Sequence, residues 1–115
     1  MAKINARQKG HAFEREVAKR WRELGWERCV TSRSESKNLD DLGVDLCYTD
    51  PFIIQCKAVE SLNVHKAYSA MPDMEGKYKL LFSKKNRQGT LVTLSIDDFL
   101  ELIDQLRVAG IISVI

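Results

Sequence analysis

Between Arg7 and Leu24 the apolar residues Phe13, Val17, Trp21 and Leu24 recur at intervals of four, four and three, the spacing of one buried face on an α-helix. Gly25 follows the last apolar position and supplies a stop. Trp26 to Arg33 reads as a strand built on Cys29, Val30 and Thr31, and Ser34 to Leu42 reads as a loop because Ser, Asn and Asp favour turns. Gly43 to Tyr48 and Phe52 to Ala58 form the next two apolar stretches, joined at Thr49-Asp50-Pro51, where proline pre-sets a turning backbone angle. They are expected to pair as an antiparallel hairpin.

Leu62 to Met74 predicts a second helix, with Leu62, Ala67, Ala70 and Met71 apolar. Tyr78 to Phe82 and Thr90 to Leu94 predict two strands joined by a basic connection. Ser95 is placed to cap a last helix whose Phe99, Leu102, Ile103 and Leu106 share a face, and Gly110 ends it. The closing Ile111 to Ile115 is unusually apolar for a terminus, and reads as an extra strand or as a surface that a second copy covers. The expected fold is a single α/β domain over residues 1–115, a mixed central β-sheet flanked by helices in the order α-β-β-β-α-β-β-α.

At 115 residues the chain is too short for two independent cores. No apolar run approaches the ~20 residues that span a bilayer, and the opening residues lack the apolar core of a signal peptide. No membrane association and a cytoplasmic location, in a prokaryotic or phage-infected cell, are expected. Cys29, Cys47 and Cys56 are odd in number and widely spaced, so they read as buried small hydrophobes rather than a disulfide framework or a zinc site.

The net charge of +2 conceals a segregation. Residues 1–37 hold ten Lys/Arg against five Asp/Glu, and residues 38–57 hold one against four. Residues 58–89 then hold six against three, and residues 90–115 one against four. Two basic stretches flanking an acidic one suit a polyanion held on both sides of a metal-binding cleft.

The chemistry concentrates in Gly43-Val-Asp-Leu46 and Phe52-Ile-Ile-Gln-Cys-Lys57. Strand alternation puts Gln55 and Lys57 on one face with Cys56 turned to the core, and Asp45 on the neighbouring stretch can reach them. Phosphodiester hydrolysis needs an activated water and neutralisation of developing charge, which a hard divalent cation held by oxygen ligands helps to supply. Asp45, the Gln55 side-chain oxygen and the Cys56 backbone carbonyl are the candidate ligands for Mg²⁺ or Mn²⁺. Lys57 is the candidate for orienting water and stabilising negative charge.

These residues resemble the PD-(D/E)XK nuclease superfamily pattern, and Lys9-Gly-His-Ala-Phe-Glu-Arg-Glu16 resembles the first helix of the archaeal-type Holliday junction resolvases. The likeness covers about residues 9–60, and residues 80–103 resemble the C-terminal half of small phage-encoded members more loosely. The resemblance implies a restriction-endonuclease-like fold. It implies that Glu14 reaches the metal, that Arg15 contacts the DNA backbone, and that Arg33 and Ser34 grip phosphate. It also implies an endonuclease acting as a homodimer on four-way DNA junctions in recombination and repair, and the apolar C-terminus is a separate reason to expect a partner subunit. Lys9, Lys84, Lys85 and Arg87 are further candidate DNA contacts. Two positions depart from the family: Gln55 stands where an acidic residue is usual, as in restriction enzymes of the Mrr type, and Gly-Val precedes Asp45 in place of the common proline. The loss of a negative charge implies weaker metal affinity unless Glu14, Glu35, Asp40 or Asp41 compensates.

Three other functions fit the same residues: a restriction or repair endonuclease, a catalytically inactive DNA-binding module, and a plain interaction protein. For Asp45, Gln55 and Lys57 the bland alternative is the polar face of an amphipathic hairpin, and for Glu14 a solvated helix position. Asp40 and Asp41 read as loop solvation or an Asx-turn, and His11 and His65 as ordinary surface histidines. Trp21 and Trp26 read as core.

Overall fold

The structure, a computed structural model, describes residues 5–115. Helix α1 (Ala6–Leu24) opens with a capping box in which the Asn5 side chain accepts from the Gln8 amide and the Gln8 side chain accepts from the Asn5 amide. Its buried face is Phe13, Val17, Ala18 and Trp21, the stripe expected from the spacing, although Leu24 is exposed. Gly25 follows as the C-cap.

The chain continues through β1 (Val30–Thr31), α2 (Ser32–Glu35), α3 (Lys37–Asp41) and β2 (Leu46–Cys47) to β3 (Phe52–Ala58). After α4 (Val64–Ala70) come β4 (Tyr78–Lys85), β5 (Gly89–Thr93) and α5 (Ile96–Val108). β1 and β2 form a two-stranded antiparallel pair, and β3, β4 and β5 form a separate three-stranded sheet in that order. β3 runs parallel to β4, with Gln55 beside Leu81 and Lys57 beside Ser83. β4 runs antiparallel to β5. The architecture is mixed α/β with a mixed sheet.

Sheet alternation sends side chains into two cores. Ile54, Cys56 and Leu80 pack with Phe13, Val17 and Trp21 on the α1 side, joined by Cys29 and Leu46. Ile53 and Leu81 pack with Val44 and Met71 on the other side, where Leu62, Val64, Ala67 and Tyr68 cover them. Aromatic rings seal the first core: Trp21 lies edge-on to Trp26 at 4.7 Å and tilted against Phe52 at 5.4 Å. Lys79 fastens α4 to β4, reaching Asp73 at 2.9 Å and the carbonyls of Tyr68 and Met71.

Four local expectations are corrected. The Ser34–Leu42 loop carries two short helical turns, because Ser36 caps the second by accepting from the Leu39 amide and so acts as a helix starter. The Trp26–Arg33 strand shrinks to Val30–Thr31, since Trp26 and Cys29 close a turn (Cys29 N–H to Trp26 O, 3.0 Å) that buries Cys29 and half-buries Trp26. The Gly43–Tyr48 and Phe52–Ala58 hairpin is replaced by a short β2 that pairs with β1, while Asp45 alone ties that stretch to β3. The predicted α5 face is not buried: Phe99 and Leu106 are exposed, Leu102 and Ile103 half-buried, and Ile111–Ile115 is not a strand.

Candidate functional site

The site is built at an open sheet edge. β3 has β4 on one side only, and Asp45 closes the other. The Asp45 N–H donates to the Ile54 carbonyl (2.8 Å), and its own carbonyl accepts from the Ser32 N–H (2.8 Å). Its carboxylate accepts from the Cys56 N–H at 2.7 Å, a charge-assisted bond in place of the missing ladder partner. Ser32 is completely buried, and its hydroxyl donates to the Val44 carbonyl, so it straps the 44–45 peptide from the far side.

Gln55 and Lys57 follow Ile53 along the same face of β3, while Cys56 lies in the α1 core. The Gln55 Oε1 is buried and has no hydrogen-bond partner among the described residues. Such an orphaned acceptor costs about 1–3 kcal/mol unless a donor or a cation meets it. The amide sits against Gly43, where an added Cβ would stand 3.1 Å from Gln55 Nε2, and where φ is +79°. The positive φ favours glycine there, and a Cβ would push the glutamine amide aside by a few tenths of an ångström. Lys57 is half-buried and has no hydrogen-bond or ion-pair partner among the described residues. Its ammonium is available for chemistry.

Glu14 approaches from α1 and is mostly buried, with 13% of its side chain exposed, and it is paired to Arg33 at 3.4 Å. Burial pushes the Asp45 carboxyl from 3.8 up to about 6. The Cys56 N–H pulls it down, Glu14 pushes it up, Lys57 pulls it down and Asp40 pushes it up. Glu14, Asp40, Asp45 and Lys57 therefore share one electrostatic neighbourhood.

The expected ligands are brought together in part. Asp45, Gln55 and Cys56 are contiguous, and Glu14 lies within electrostatic reach, although among the described residues no three His, Cys, Asp or Glu side chains converge at metal-binding distance. A cation here would be held by two carboxylates, the Gln55 amide oxygen and the Cys56 carbonyl, an all-oxygen set that suits Mg²⁺ or Mn²⁺. The unsatisfied Oε1 fits that set. Arg33 stands beside Glu14, and the Ser34 hydroxyl donates to the Thr31 carbonyl at 2.7 Å within its own turn. Arg15 is exposed on α1, and Lys85 and Arg87 are exposed at the β4–β5 turn.

Lys9 and Lys84 do not join this site. They line a separate cleft of about 180 Å³ with Phe13, Glu16, Glu60 and Asn86, in which Lys84 is paired to Glu16 at 3.3 Å and Lys9 reaches Asn86 at 3.5 Å. His65 is exposed and His11 half-buried, and neither makes a hydrogen bond among the described residues. Sequence reasoning missed Gly43 and Ser32, and it named Asp40 only as a possible compensating charge, where the structure has it acting on Asp45. The Gly-Val ahead of Asp45 was the available signal for Gly43.

Comparison with family models, with curated proteins and with solved structures finds no match for this chain. No helix among the described residues is long and apolar enough to cross a membrane.

The raised Asp45 carboxyl has a signed consequence. Metal ligation needs the carboxylate, so affinity for Mn²⁺ is expected to rise as pH climbs through about 6 and to level off above it. The metal-free fold keeps the Asp45 proton over a range where the unfolded chain has lost it. This group's contribution to stability therefore falls between about pH 4 and pH 6 and is constant above. Calorimetric titration of Mn²⁺ across that range checks the first statement; affinity that is flat in pH would contradict it.

Proposed function

We propose that the chain is a Mg²⁺- or Mn²⁺-dependent DNA endonuclease, and more finely a homodimeric resolvase of four-way junctions. One observation carries the reading: a buried amide oxygen and a lysine, neither with a partner among the described residues, lie on the same strand face beside a carboxylate that caps the strand edge. A purely structural polar face gains nothing from that arrangement, because each group is held at a cost. Glu14, Asp45, Gln55 and the Cys56 carbonyl would hold the cation, whose chemistry is to lower the pKa of a water and to neutralise phosphate charge. Lys57 orients the attacking water and donates hydrogen bonds to oxygen as negative charge grows on it. Arg33, Arg15 and the Ser34 turn lie on the α1–α2 side as phosphate contacts, and Lys9, Lys84, Lys85 and Arg87 extend the basic surface. The junction preference rests on the resemblance of residues 9–60 alone.

A second reading, an inactive DNA-binding module, draws on the Glu14–Arg33 ion pair and the neutral Gln55. Nicking of a synthetic four-way junction and of matched linear duplex, with Mg²⁺, Mn²⁺ or chelator, separates the readings. Cleavage of the junction that chelator abolishes is expected. DNA binding with steep salt dependence and no nicking in either metal would decide for the binding module. Gln55→Glu restores the family's charge and is expected to tighten Mn²⁺ binding about tenfold; weaker binding in this variant would remove Gln55 from the ligand set.

A further inference from the structure

α5 is attached to its own domain by polar contacts. The Ser95 N–H donates to the Tyr68 hydroxyl at 3.1 Å, and Gln105 donates to the Tyr78 hydroxyl at 2.8 Å. None of its residues is buried. A helix of 13 residues with no buried face is marginal in water, yet this one is well capped at both ends. Ser95 accepts from the Asp98 amide. Gly110, at φ +76°, closes the other end, with its N–H bonded to the Arg107 carbonyl and the Ile111 N–H bonded to the Leu106 carbonyl. That closure turns the tail back, so that Ile112 and Val114 line a groove with Leu100 and Ile103.

Nine large apolar side chains between Ile96 and Ile115 remain exposed, among them Leu100 at 54%, Ile111 at 70% and Val114 at 83%. On ordinary side-chain areas these exposures amount to roughly 1,000 Å², beyond the few hundred Å² usual for the largest patch on a monomer. It is also what one partner contributes to a standard interface, ~800 Å². The molecule is drawn out to 54 × 30 × 27 Å, and its radius of gyration of 15.2 Å exceeds the ~13 Å of a compact domain this size.

We propose that the outer face of α5 and the returning tail 111–115 form a two-fold interface with a second copy of this chain. The charge pattern favours that occupant. Asp97, Asp98, Glu101 and Asp104 make α5 acidic and unsuited to nucleic acid, whereas Arg107, which holds Asp104 at 2.8 Å on its own helix and keeps its remaining N–H groups for a partner, lies near its other end. Two α5 helices crossing antiparallel near their midpoints set Arg107 of each opposite the acidic first turn of the other, a self-complementary arrangement of the kind an isologous contact requires. The inference deepens the homodimer part of the proposed function and rests on it only for its consequence, two sites in one particle; its test uses neither DNA nor metal.

Sedimentation of the full chain is expected to give twice the 13.2 kDa subunit mass, and Ile103→Glu to give the single-chain mass with an unchanged far-ultraviolet spectrum. Because the three native cysteines are buried, an introduced surface thiol reports cleanly. Leu100→Cys is expected to form a disulfide-linked dimer on mild oxidation, and Leu24→Cys, exposed on α1, is not. Wild-type protein at the single-chain mass, or a dimer that Ile103→Glu leaves intact, would overturn the proposal. Should Ile103→Glu unfold, crosslinking decides: Leu100→Cys linking no more than Leu24→Cys overturns it as well.

Discussion

Asp45→Asn is expected to abolish metal-dependent nicking and at the same time to raise the melting temperature of the metal-free protein. The carboxylate is kept where burial opposes its charge and pushes its pKa to about 6, so above neutral pH the fold carries the cost of ionising it. Asparagine preserves the acceptor for the Cys56 N–H, a 2.7 Å bond in the native chain, and removes the charge. The gain is about 1–2 kcal/mol, or roughly 5–10 °C, at pH 8. It should vanish near pH 4, where the native side chain is itself protonated. Thermal melts in chelator at the two pH values measure this, beside Mn²⁺ titration and the nicking assay. A variant that melts lower at pH 8 would mean that the carboxylate is a structural ligand of the strand edge, and the site would lose its centre.

Lys57→Ala should leave Mn²⁺ affinity at pH 8 nearly unchanged while lowering the nicking rate by roughly 10²–10⁴-fold. The split follows from position. Lys57 has no partner to lose among the described residues, so its removal breaks no ion pair seen there. On the proposed function, what disappears is a cation beside the reacting phosphate. Single-turnover rates at saturating metal, set against the metal isotherm, separate the two quantities. A mutant that nicks at the native rate would show that the ammonium takes no part in the chemistry.

Much of this was legible in the order of residues, and the exceptions have physical causes. The α1 stripe was readable because the helix repeats its apolar face from Phe13 through Val17 to Trp21, and Gln55 and Lys57 could be assigned to one face because β3 alternates strictly between two cores. The Asp45 connection was not readable in detail. It depends on one side chain replacing a ladder bond, which no periodicity records. Ser36 and the Ser32 strap were misread for a related reason: serine serves turns, caps and buried backbone bonds alike, and only the fold selects among them. The apolar face of α5 was visible as a repeat, but a repeat tells that a face wants cover and not which surface supplies it.

The tethering of Asp45 bears on the size of ion the site could accept. Its N–H, its carbonyl and its carboxylate are each engaged, with Ile54, Ser32 and Cys56 in turn, so this residue has little freedom to adjust a bond length. Gln55 lies against Gly43, where an added Cβ would stand 3.1 Å from its Nε2. Glu14 is different: it stands on another element and, among the described residues, is paired to Arg33 alone. Preference between a small ion and a larger one such as Ca²⁺ would then be set by how far a single glutamate can extend, while the strand-borne oxygens keep a fixed spacing.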